Sequence, residues 1–273
     1  MSLVSFAWRN LKRYTNLEMR EWYRLRGRLS KFPRYQPTEV DLLGYHVHLV
    51  DSMSFLSMYR QIFVNQSHWF LARRPSPFIL ACGANIGLSV INFKRLYANS
   101  RIIAFEPDPE ICRVLRRNVE INHLPNVEVI EAAVWTHSGG ISFVADRADG
   151  GRVDLSERRD GVTVPSVRLH DYLDTPVDLL KLDIEGAEGK VLFDCADRLK
   201  NVQMLILEYH GFAHREQEFG GVLDLLRAQG FRYYVKVEQP WLNPSRPIRL
   251  HQDIKQILVV YAASALDIQY SSE

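Results

Sequence analysis

FILACGANIG, residues 78–87, joins a short apolar run to a glycine-rich loop, and an apolar segment with helical spacing follows. A buried strand, a tight loop and a helix in this order are typical of the first βα unit of an open α/β sheet. Such sheets bind their ligands at the carboxyl ends of the strands, which is where this loop would lie. The stretch therefore predicts both the fold class and the place of a ligand site.

The same alternation continues from this stretch towards the end of the chain. VDLLKLD (177–183) and VQMLILE (202–208) are almost continuously apolar, as central strands covered on both faces must be. Glycine and charged residues are frequent in residues 132–176, which predicts a hairpin and an exposed loop there. We assign residues 77–273 to one α/β domain. Its predicted strands are 78–82, 101–105, 127–131, 177–183, 202–208, 231–237 and 254–261, and its predicted helices are 87–97, 109–122, 187–195 and 215–229.

Residues 1–76 precede this domain and are predicted to form a helical cap. Residues 3–31 show a loose apolar stripe among arginines, and YHVHLV (45–50) alternates like a strand. Residues 1–34 carry a net charge of +7, which leaves −5 on the rest of a chain whose net charge is +2. A basic amphipathic helix suits a membrane surface, a partner protein or a second copy of the chain. We favour the simpler interpretation, in which the helix packs on its own domain with its arginines in solvent.

Composition argues against several other classes of protein. Hydrophobic residues make up 47% and charged residues 24% of the chain, and no apolar stretch approaches the roughly 18 residues that a membrane span needs. The first apolar patch precedes the basic residues, which is the reverse of the order in a secretory signal. Cys82, Cys112 and Cys195 show no metal-binding spacing, which predicts reduced thiols and a cytoplasmic location. The negative charge beyond residue 34 and the lack of an NPP[YF] motif argue against a nucleic-acid substrate.

The loop CGANIG (82–87) distinguishes between classes of cofactor. Gly83 and Gly87 permit a positive φ and a close approach of the backbone to a ligand. A dinucleotide fingerprint would place further glycines two and five positions after Gly83, and this chain has neither; Asn85 stands at the first of them. No GK[ST] follows the loop, so it is not a phosphate-binding P-loop. The loop therefore predicts a cofactor without a pyrophosphate.

The second strand ends in FEPDP (105–109), and this end supplies a candidate ribose-binding acid. Glu106 follows the first glycine of the loop by 23 residues, the usual distance for a carboxylate that accepts hydrogen bonds from ribose hydroxyls. Asp108 is the better N-cap of the next helix, which leaves Glu106 for the ribose. The third strand ends at Glu131 and Ala132, where a small residue would permit an adenine ring to approach; ordinary packing explains Ala132 equally well.

A glycine-rich loop and a ribose-binding acid without a phosphate-binding motif indicate a nucleoside cofactor that carries no phosphates. S-adenosylmethionine is the common cofactor of this description, and its sulfonium leaves the methyl group ready for in-line displacement. A hydroxyl acceptor still needs a base or a metal to help remove its proton. The predicted cofactor-binding residues are Ala81, Gly83, Ala84, Asn85, Gly87, Glu106, Pro107, Glu131, Ala132 and Asp183.

KLDIEGAEG (181–189) places four charged side chains at the end of the fourth strand of the domain. Lys181 and Asp183 project to the same face because strand side chains alternate, and both interrupt an apolar run. Burying such charges is costly unless they are paired or used. Two simpler explanations stay open: Lys181 pairs with Asp183, and Glu188 favours the positive end of the following helix.

LILEYHGF (205–212) ends the fifth strand with Glu208 and His210 on one face, at the edge where Asp183 lies. His210 is a candidate general base because the ordinary pKa of histidine lies near neutrality. Asp183, Glu208 and His210 are alternatively a set of ligands for a divalent metal, which we do not favour. We predict catalytic roles for Asp183, His210, Lys181 and Glu208, and acceptor contacts for Glu185, Glu188 and Tyr209.

Taken together, these motifs resemble the FkbM family of class I S-adenosylmethionine-dependent methyltransferases. The resemblance covers about residues 78–262 and implies a Rossmann-like, mostly parallel sheet of seven strands whose last strand is antiparallel. It also implies O-methylation of a hydroxyl on a sugar, a glycan or a polyketide-type secondary metabolite. The stretches that carry it are GANIG (83–87), FEPDP (105–109), NVEINHLPNVEVIEAAV (118–134), LLKLDIEGAE (179–188) and LEYH (207–210).

One position departs from the family pattern, because Ala81 stands where the family usually has aspartate. The resemblance implies that this carboxylate helps to hold the amino-acid end of the cofactor. Its loss should cost about 1–3 kcal/mol, the value of a hydrogen bond to a charged group, so we expect weakened rather than abolished binding. Two alternatives stay open: N- or C-methylation on the same fold, and a catalytically silent, cofactor-binding scaffold.

Overall fold

The computed structural model describes residues 16–144, 151–153, 161–212, 215–237 and 255–264. A large mixed sheet lies at its centre, with helices on both faces and a smaller sheet beside it. The helices and strands, in chain order, are α1 (Leu17–Leu29), β1 (Thr38–Leu42), β2 (Tyr45–Leu49), α2 (Ser52–Tyr59), β3 (Phe78–Cys82), α3 (Leu88–Leu96), β4 (Arg101–Phe105), α4 (Pro109–Ile121), β5 (Val127–Ile130), β6 (Ala133–Trp135), β7 (Gly139–Val144), β8 (Arg152–Val153), β9 (Val162–Arg168), β10 (Val177–Leu182), α5 (Glu188–Asp194), β11 (Val202–Phe212), α6 (Phe219–Ala228), β12 (Phe231–Val237) and β13 (Lys255–Ser264).

The central sheet has the strand order β12-β13-β11-β10-β3-β4-β5. The pairs from β11 across to β5 are parallel, whereas β13 is antiparallel to both β11 and β12. The predicted Rossmann-like sheet of seven strands with an antiparallel last strand is therefore confirmed. The chain leaves β3 towards β5 and later returns to β10 on the other side of β3. The loops after β3 and β10 consequently border a crevice at the carboxyl edge of the sheet.

Two strands at the centre of the sheet, β3 and β10, are buried on both faces. Of the two strands for which the sequence predicts this, β10 is fully buried and β11 is buried only in part. Every residue of β3 and β10 is buried. One face of the sheet packs on α3 and α4 through Phe93 and Leu115, and the other packs on α5 and α6 through Leu192 and Leu226. Burial of apolar surface on both sides removes the alternation that a half-exposed strand would show. None of the helices within the described residues is long and apolar enough to cross a membrane.

The helix predicted at residues 3–31 is observed from Leu17 to Leu29, and its first part lies outside the described residues. It begins at Asn16, whose side-chain oxygen accepts a hydrogen bond from the Met19 amide at 2.9 Å. Leu25 and Leu29 are fully buried in one apolar cluster with residues of α2. Over this stretch the helix therefore packs on its own chain.

The segment before the main sheet contains a β-hairpin in addition to its helices. The strand expected at residues 45–50 is present as β2, but it pairs with β1, which the sequence analysis did not predict. After α2 the helix continues into a π-helical turn over Arg60–Val64. A π-helical turn inserts an extra residue and so redirects the side chains that follow; such turns are frequent at functional sites.

Residues 133–168 contain a second sheet, where the sequence predicts only a hairpin and an exposed loop. Its strand order is β6-β9-β7-β8, with β6 parallel to β9. Ala133, Phe143, Val153 and Val164 form a small buried cluster beneath it. The antiparallel pair β7–β8 agrees with the predicted hairpin, whereas the sheet as a whole was not predicted. Residues 145–150 and 154–160, where most of the charged residues of this segment stand, lie outside the described residues, so the predicted exposed loop stays a prediction.

Candidate active site

The glycine-rich loop after β3 is fixed to the neighbouring strands by its backbone. The amides of Gly83 and Ala84 both donate to the carbonyl oxygen of Phe105, at 3.1 and 2.9 Å. Gly83 has a φ of +73°, and a Cβ there would overlap the carbonyl oxygen of Asp183. A glycine is required at this position for both reasons, since it permits the left-handed conformation and the close contact between the loop and the end of β10.

Glu106 lies at the end of β4, where the loop folds against it. Its carboxylate accepts hydrogen bonds from the amides of Asn85 at 2.9 Å and Asp108 at 3.1 Å. Burial raises the pKa of Glu106 to about 7, although these two amides oppose the shift. Asp108 accepts hydrogen bonds from the amides of Glu110 and Ile111 and thus caps α4, as the sequence predicts. Glu106 is therefore an oriented acid at the place expected for a ribose-binding group.

A cleft of about 570 Å³ opens over these strand ends. Its wall combines the loop after β3 with the ends of β4, β10 and β11 and with the π-helical turn of the N-terminal segment. The smaller sheet closes one side through Phe143 and Val153. The cleft brings together nine of the predicted site residues: Gly83, Asn85, Glu106, Pro107, Ala132, Asp183, Glu185, Glu208 and His210.

Two residues that the sequence assigned to ligand binding contact other protein groups instead. Glu131, predicted next to the adenine, forms an ion pair with Arg116 at 2.6 Å. Tyr209, predicted to contact the acceptor, is buried, and its hydroxyl accepts a hydrogen bond from the Glu218 amide at 3.1 Å. Adjacent strand residues face opposite sides of the sheet, so Tyr209 points away from the face that carries Glu208.

Lys181 joins the two strands at the base of the cleft. Its buried ammonium donates to the carbonyl oxygen of Gly83 at 2.6 Å, to that of Cys82 at 3.3 Å and to Oδ2 of Asp183 at 2.9 Å. Burial alone would raise the pKa of Asp183, but the charges of Lys181 and His210 outweigh burial and lower it. Ala81 lies in register with Lys181 on the neighbouring strand and is fully buried. Lys181 thus holds the glycine-rich loop and Asp183 together rather than facing a substrate.

His210 is enclosed by four carboxylates. Its Nδ1 lies 2.9 Å from Oε1 of Glu188, and its Nε2 faces Asp183, Glu185 and Glu208 at 3.9, 3.7 and 3.8 Å. Burial would lower the pKa of His210, but Glu188 and the other carboxylates outweigh burial and raise the pKa to about 10. An imidazole with that pKa is protonated at neutral pH and is not poised to accept a proton, which disfavours the general-base role predicted for it.

Glu188 lies behind His210 and not in the cleft wall. It is fully buried and accepts hydrogen bonds from the amides of Ile184 at 3.1 Å and Gly186 at 3.0 Å. The predicted acceptor contact is therefore replaced by a positioning role: Glu188 fixes the turn after β10 and the ring of His210. The sequence did not reveal this because the helix that begins at Glu188 can present its first side chain either inwards or outwards.

A residue of the N-terminal segment forms a hydrogen bond with Glu208. Nε2 of Gln61, in the π-helical turn, donates to Oε2 of Glu208 at 2.6 Å. Burial, followed by the negative charge of Asp183, raises the pKa of Glu208 to about 7. Gln61 was missed by the sequence analysis, and no local signal marks it, because 146 residues separate it from its contact partner.

A second missed residue is His68, which lies on the segment that follows the π-helical turn. It is buried, its ring stacks on Phe93 with centroids 5.9 Å apart, and its Nδ1 has no hydrogen-bond partner among the described residues. Burial and the nearby charge of Lys181 lower the pKa of His68 to about 3. His68 is therefore a neutral side chain that packs close to the base of the cleft.

The part of the chain that contains this site matches known methyltransferases. A sequence model of the methyltransferase FkbM domain matches residues 81–233, more than half of the chain. "Methyltransferase 1" of Beauveria bassiana is 27% identical over 218 residues, which cover 68% of this chain and 84% of the relative. The 2-O-methyltransferase NoeI of Sinorhizobium fredii is 28% identical over 178 residues, which cover 57% of this chain and 70% of the relative. A crystal structure of M. jannaschii TYW2 in complex with AdoMet aligns with 85% of this chain and 87% of its own, at 15% identity and a TM-score of 0.49.

Proposed function

This chain belongs to the FkbM methyltransferase family and is a methyltransferase, and on that basis we propose that it transfers the methyl group of S-adenosylmethionine to a hydroxyl of a sugar, a glycan or a secondary metabolite. The observation that carries the proposal is the convergence of Glu106, Asp183 and Glu208 on one cleft beside a glycine-rich loop. The first acid suits a ribose, and the other two suit a cationic cofactor end and an acceptor hydroxyl.

The loop after β3 and Glu106 support the proposal that the cleft binds S-adenosylmethionine. Asn85 and Asp108 hold the Glu106 carboxylate through their amides, so its remaining lone pairs are free to accept from two adjacent hydroxyls. The loop lacks the second glycine and the lysine with which dinucleotide and triphosphate sites bind phosphates. Asp183 lines the same cleft as an ionised carboxylate, which favours the cationic amino-acid end of S-adenosylmethionine.

The transfer itself is an in-line displacement at carbon. The acceptor oxygen forms a bond to the methyl carbon while the carbon–sulfur bond breaks, and the bonding electrons stay on sulfur, which leaves S-adenosylhomocysteine. The acceptor proton must go to a protein group in the cleft. We assign that role to Glu208, because it lines the cleft and the hydrogen bond from Gln61 fixes one of its oxygens.

The acceptor class is supported by the character of the cleft and by one relative. Acidic and amide side chains of the wall, such as Glu185, Gln61 and Asn65, offer hydrogen-bond partners for a polyhydroxylated molecule. NoeI, whose name describes 2-O-methylation, is similar to this chain over 57% of the chain's length. Phe143 and Val153 add an apolar side to the same cleft, which would accommodate the carbon face of a ring.

The proposal is tested by two measurements on the purified full-length chain. Calorimetry measures the binding of S-adenosylmethionine, and radiolabelled cofactor reports methyl transfer to a panel of sugars, oligosaccharides and polyketide alcohols. We expect Glu208→Gln to reduce transfer by about a hundredfold, the usual contribution of a positioned base, with cofactor affinity nearly unchanged. Glu216→Gln, a substitution of an exposed acid, is the matched control and should leave both quantities unchanged.

The outcomes separate the competing functions. Cofactor binding with no transfer to any member of the panel would favour the catalytically silent scaffold. A methylated nitrogen or carbon in the product would favour N- or C-methylation on the same fold. A protein that binds neither S-adenosylmethionine nor S-adenosylhomocysteine would contradict the proposal as a whole.

A further inference from the structure

We propose that Asp183, Glu185 and His210 bind a divalent cation of the Mn²⁺ or Mg²⁺ type at the base of the cleft. One atom from each residue can serve as a ligand, with Nε2 of His210 doing so after the cation has displaced its proton, and these three atoms lie within 4.8 Å of one another. The role that we give the cation in catalysis rests on the proposed function, whereas its binding does not.

The first argument is the spacing around Nε2 of His210. The oxygens that face it lie at 3.7–3.9 Å, beyond the upper limit of about 3.2 Å for a normal hydrogen bond. The His210 side chain is only 1% exposed, so these carboxylates face Nε2 in a largely buried place. Ligands held about 2.1 Å from one ion are separated from each other by roughly 3.0–4.2 Å. The spacing around Nε2 therefore fits a coordination shell as well as the ion pairs of a protonated ring.

The second argument is the orientation of the imidazole ring. Nδ1 of His210 pairs with Oε1 of Glu188 at 2.9 Å, and Glu188 is itself fixed by the amides of Ile184 and Gly186. Metal-bound histidines regularly use their second nitrogen in this way, because the carboxylate sets the tautomer and directs the other nitrogen to the metal. The ring therefore presents Nε2 to the carboxylates of Asp183 and Glu185 without freedom to turn.

The third argument is the balance of charge. When Glu208 is ionised, four carboxylates surround His210, and Lys181 lies beside them with a positive charge. Lys181 occupies Oδ2 of Asp183, which leaves Oδ1 directed at His210. Arg215 adds a positive charge at the rim, where it donates to the carbonyl oxygen of Gly186 at 3.3 Å. Once a cation has displaced the imidazole proton, the four carboxylates exceed the positive charges of Lys181 and Arg215 by two, and a dication compensates that excess.

The ligand set and its position indicate the type of ion and its use. Two carboxylates and one imidazole suit Mn²⁺ or Mg²⁺ better than a thiolate-seeking metal, and all three residues line the cleft, so a cation held by them would be accessible to an acceptor in the cleft. A cation there would lower the pKa of an acceptor hydroxyl beside Glu208. The sequence analysis placed Glu208 in the ligand set; the structure favours Glu185 instead and leaves Glu208 as the base.

A second group of candidate ligands must be separated from this one in any experiment. Glu39, His46 and His48 lie together on the β1–β2 hairpin. Both ring nitrogens of His46 already face carboxylates, at 2.9 Å from Asp41 and 3.3 Å from Glu39, and its side chain is 34% exposed. Ion pairs on the hairpin surface explain why these residues lie together, but the group could still bind an added metal weakly. His46→Ala removes it without touching the cleft.

Titration of the full chain with Mn²⁺ alone, followed by calorimetry and by electron paramagnetic resonance, tests the proposal. We expect one high-affinity site per chain in the wild type and in His46→Ala. Glu185→Gln should weaken Mn²⁺ binding at least tenfold, and the exposed control Glu216→Gln should leave it unchanged. Thermal unfolding of each variant establishes that it is folded before binding is compared.

Two results would overturn the proposal. One is the lack of saturable Mn²⁺ binding by a wild-type protein that binds S-adenosylmethionine and transfers methyl groups. The other is binding that survives Glu185→Gln and disappears in His46→Ala. A third outcome separates the two proposals. If Mn²⁺ binding depends on Glu185 but the protein does not bind S-adenosylmethionine, the cation site is supported and the proposed function is refuted.

Discussion

Lys181→Met is the most direct test of how the site is held together. The ammonium of Lys181 donates to two carbonyl oxygens of the loop after β3 and to Asp183, at 2.6–3.3 Å, and its side chain is 3% exposed. Methionine keeps an unbranched apolar stem of similar length and deletes the charge. The substitution therefore leaves Asp183 without its nearest cation and leaves the carbonyl oxygens of Cys82 and Gly83 without this donor.

The expected cost follows from burial and from what remains nearby. Breaking a buried ion pair by removing one partner costs about 3–5 kcal/mol. Asp183 is 25% exposed, and Oδ1 still lies 3.9 Å from Nε2 of His210, so solvent and the imidazole offset part of the loss. We therefore expect the free energy of unfolding to fall by about 3 kcal/mol, at the lower end of that range.

A double-mutant cycle isolates the interaction. The free energies of unfolding of wild type, Lys181→Met, Asp183→Asn and the double variant are measured by urea denaturation, with circular dichroism as the signal. The double variant should lose about 1–2 kcal/mol less than the sum of the two single variants, because residues in direct contact couple. A loss below about 1 kcal/mol for Lys181→Met, or additive losses in the cycle, would refute the reasoning.

Three further predictions concern the cofactor and the base. Burial raises the pKa of Glu106 to about 7, and only the ionised acid can accept hydrogen bonds from both ribose hydroxyls. The affinity for S-adenosylmethionine, measured by calorimetry, should therefore increase as the pH rises through about 7 and level off above it. Glu106→Gln should bind the cofactor more weakly and lose this pH dependence. Ala81→Asp should tighten cofactor binding by about tenfold or more, the value of a charged hydrogen bond, and an unchanged affinity would show that this position is no longer used. Gln61→Ala should lower the rate of methyl transfer by about tenfold because Glu208 loses the donor that orients it, with an unchanged dissociation constant for the cofactor.

The convergence of the main acidic residues could be predicted from the sequence. Glu106, Asp183 and Glu208 each follow an apolar run that reads as a buried strand. Parallel strands in a Rossmann-like sheet end at one edge, so residues at the ends of different strands meet there whatever their separation along the chain. Local periodicity therefore sufficed to place the acids and the glycine-rich loop at one site.

The partners of these residues could not be predicted in the same way. Gln61 reaches Glu208 only because a π-helical turn ends α2, and nothing in the local sequence marks such a turn. The burial of Glu188 behind His210 depends on the direction in which the first side chain of α5 points. The sequence suggested His210 as a general base. In the structure its Nδ1 pairs with one carboxylate and its Nε2 faces three others.

The sequence alone determined the order of the strands and helices of the central sheet, the absence of a phosphate-binding motif and the edge at which the site lies. These features depend on local residue patterns and on the fixed handedness of βα units. The tertiary structure decided the charge state of His210, the hydrogen bonds that hold Lys181 and Glu208, and the second sheet beside the cleft. Those features depend on burial and on distances between side chains distant in the chain, because desolvation and pairing change a group's pKa and orientation only after folding has brought its partners within a few ångströms.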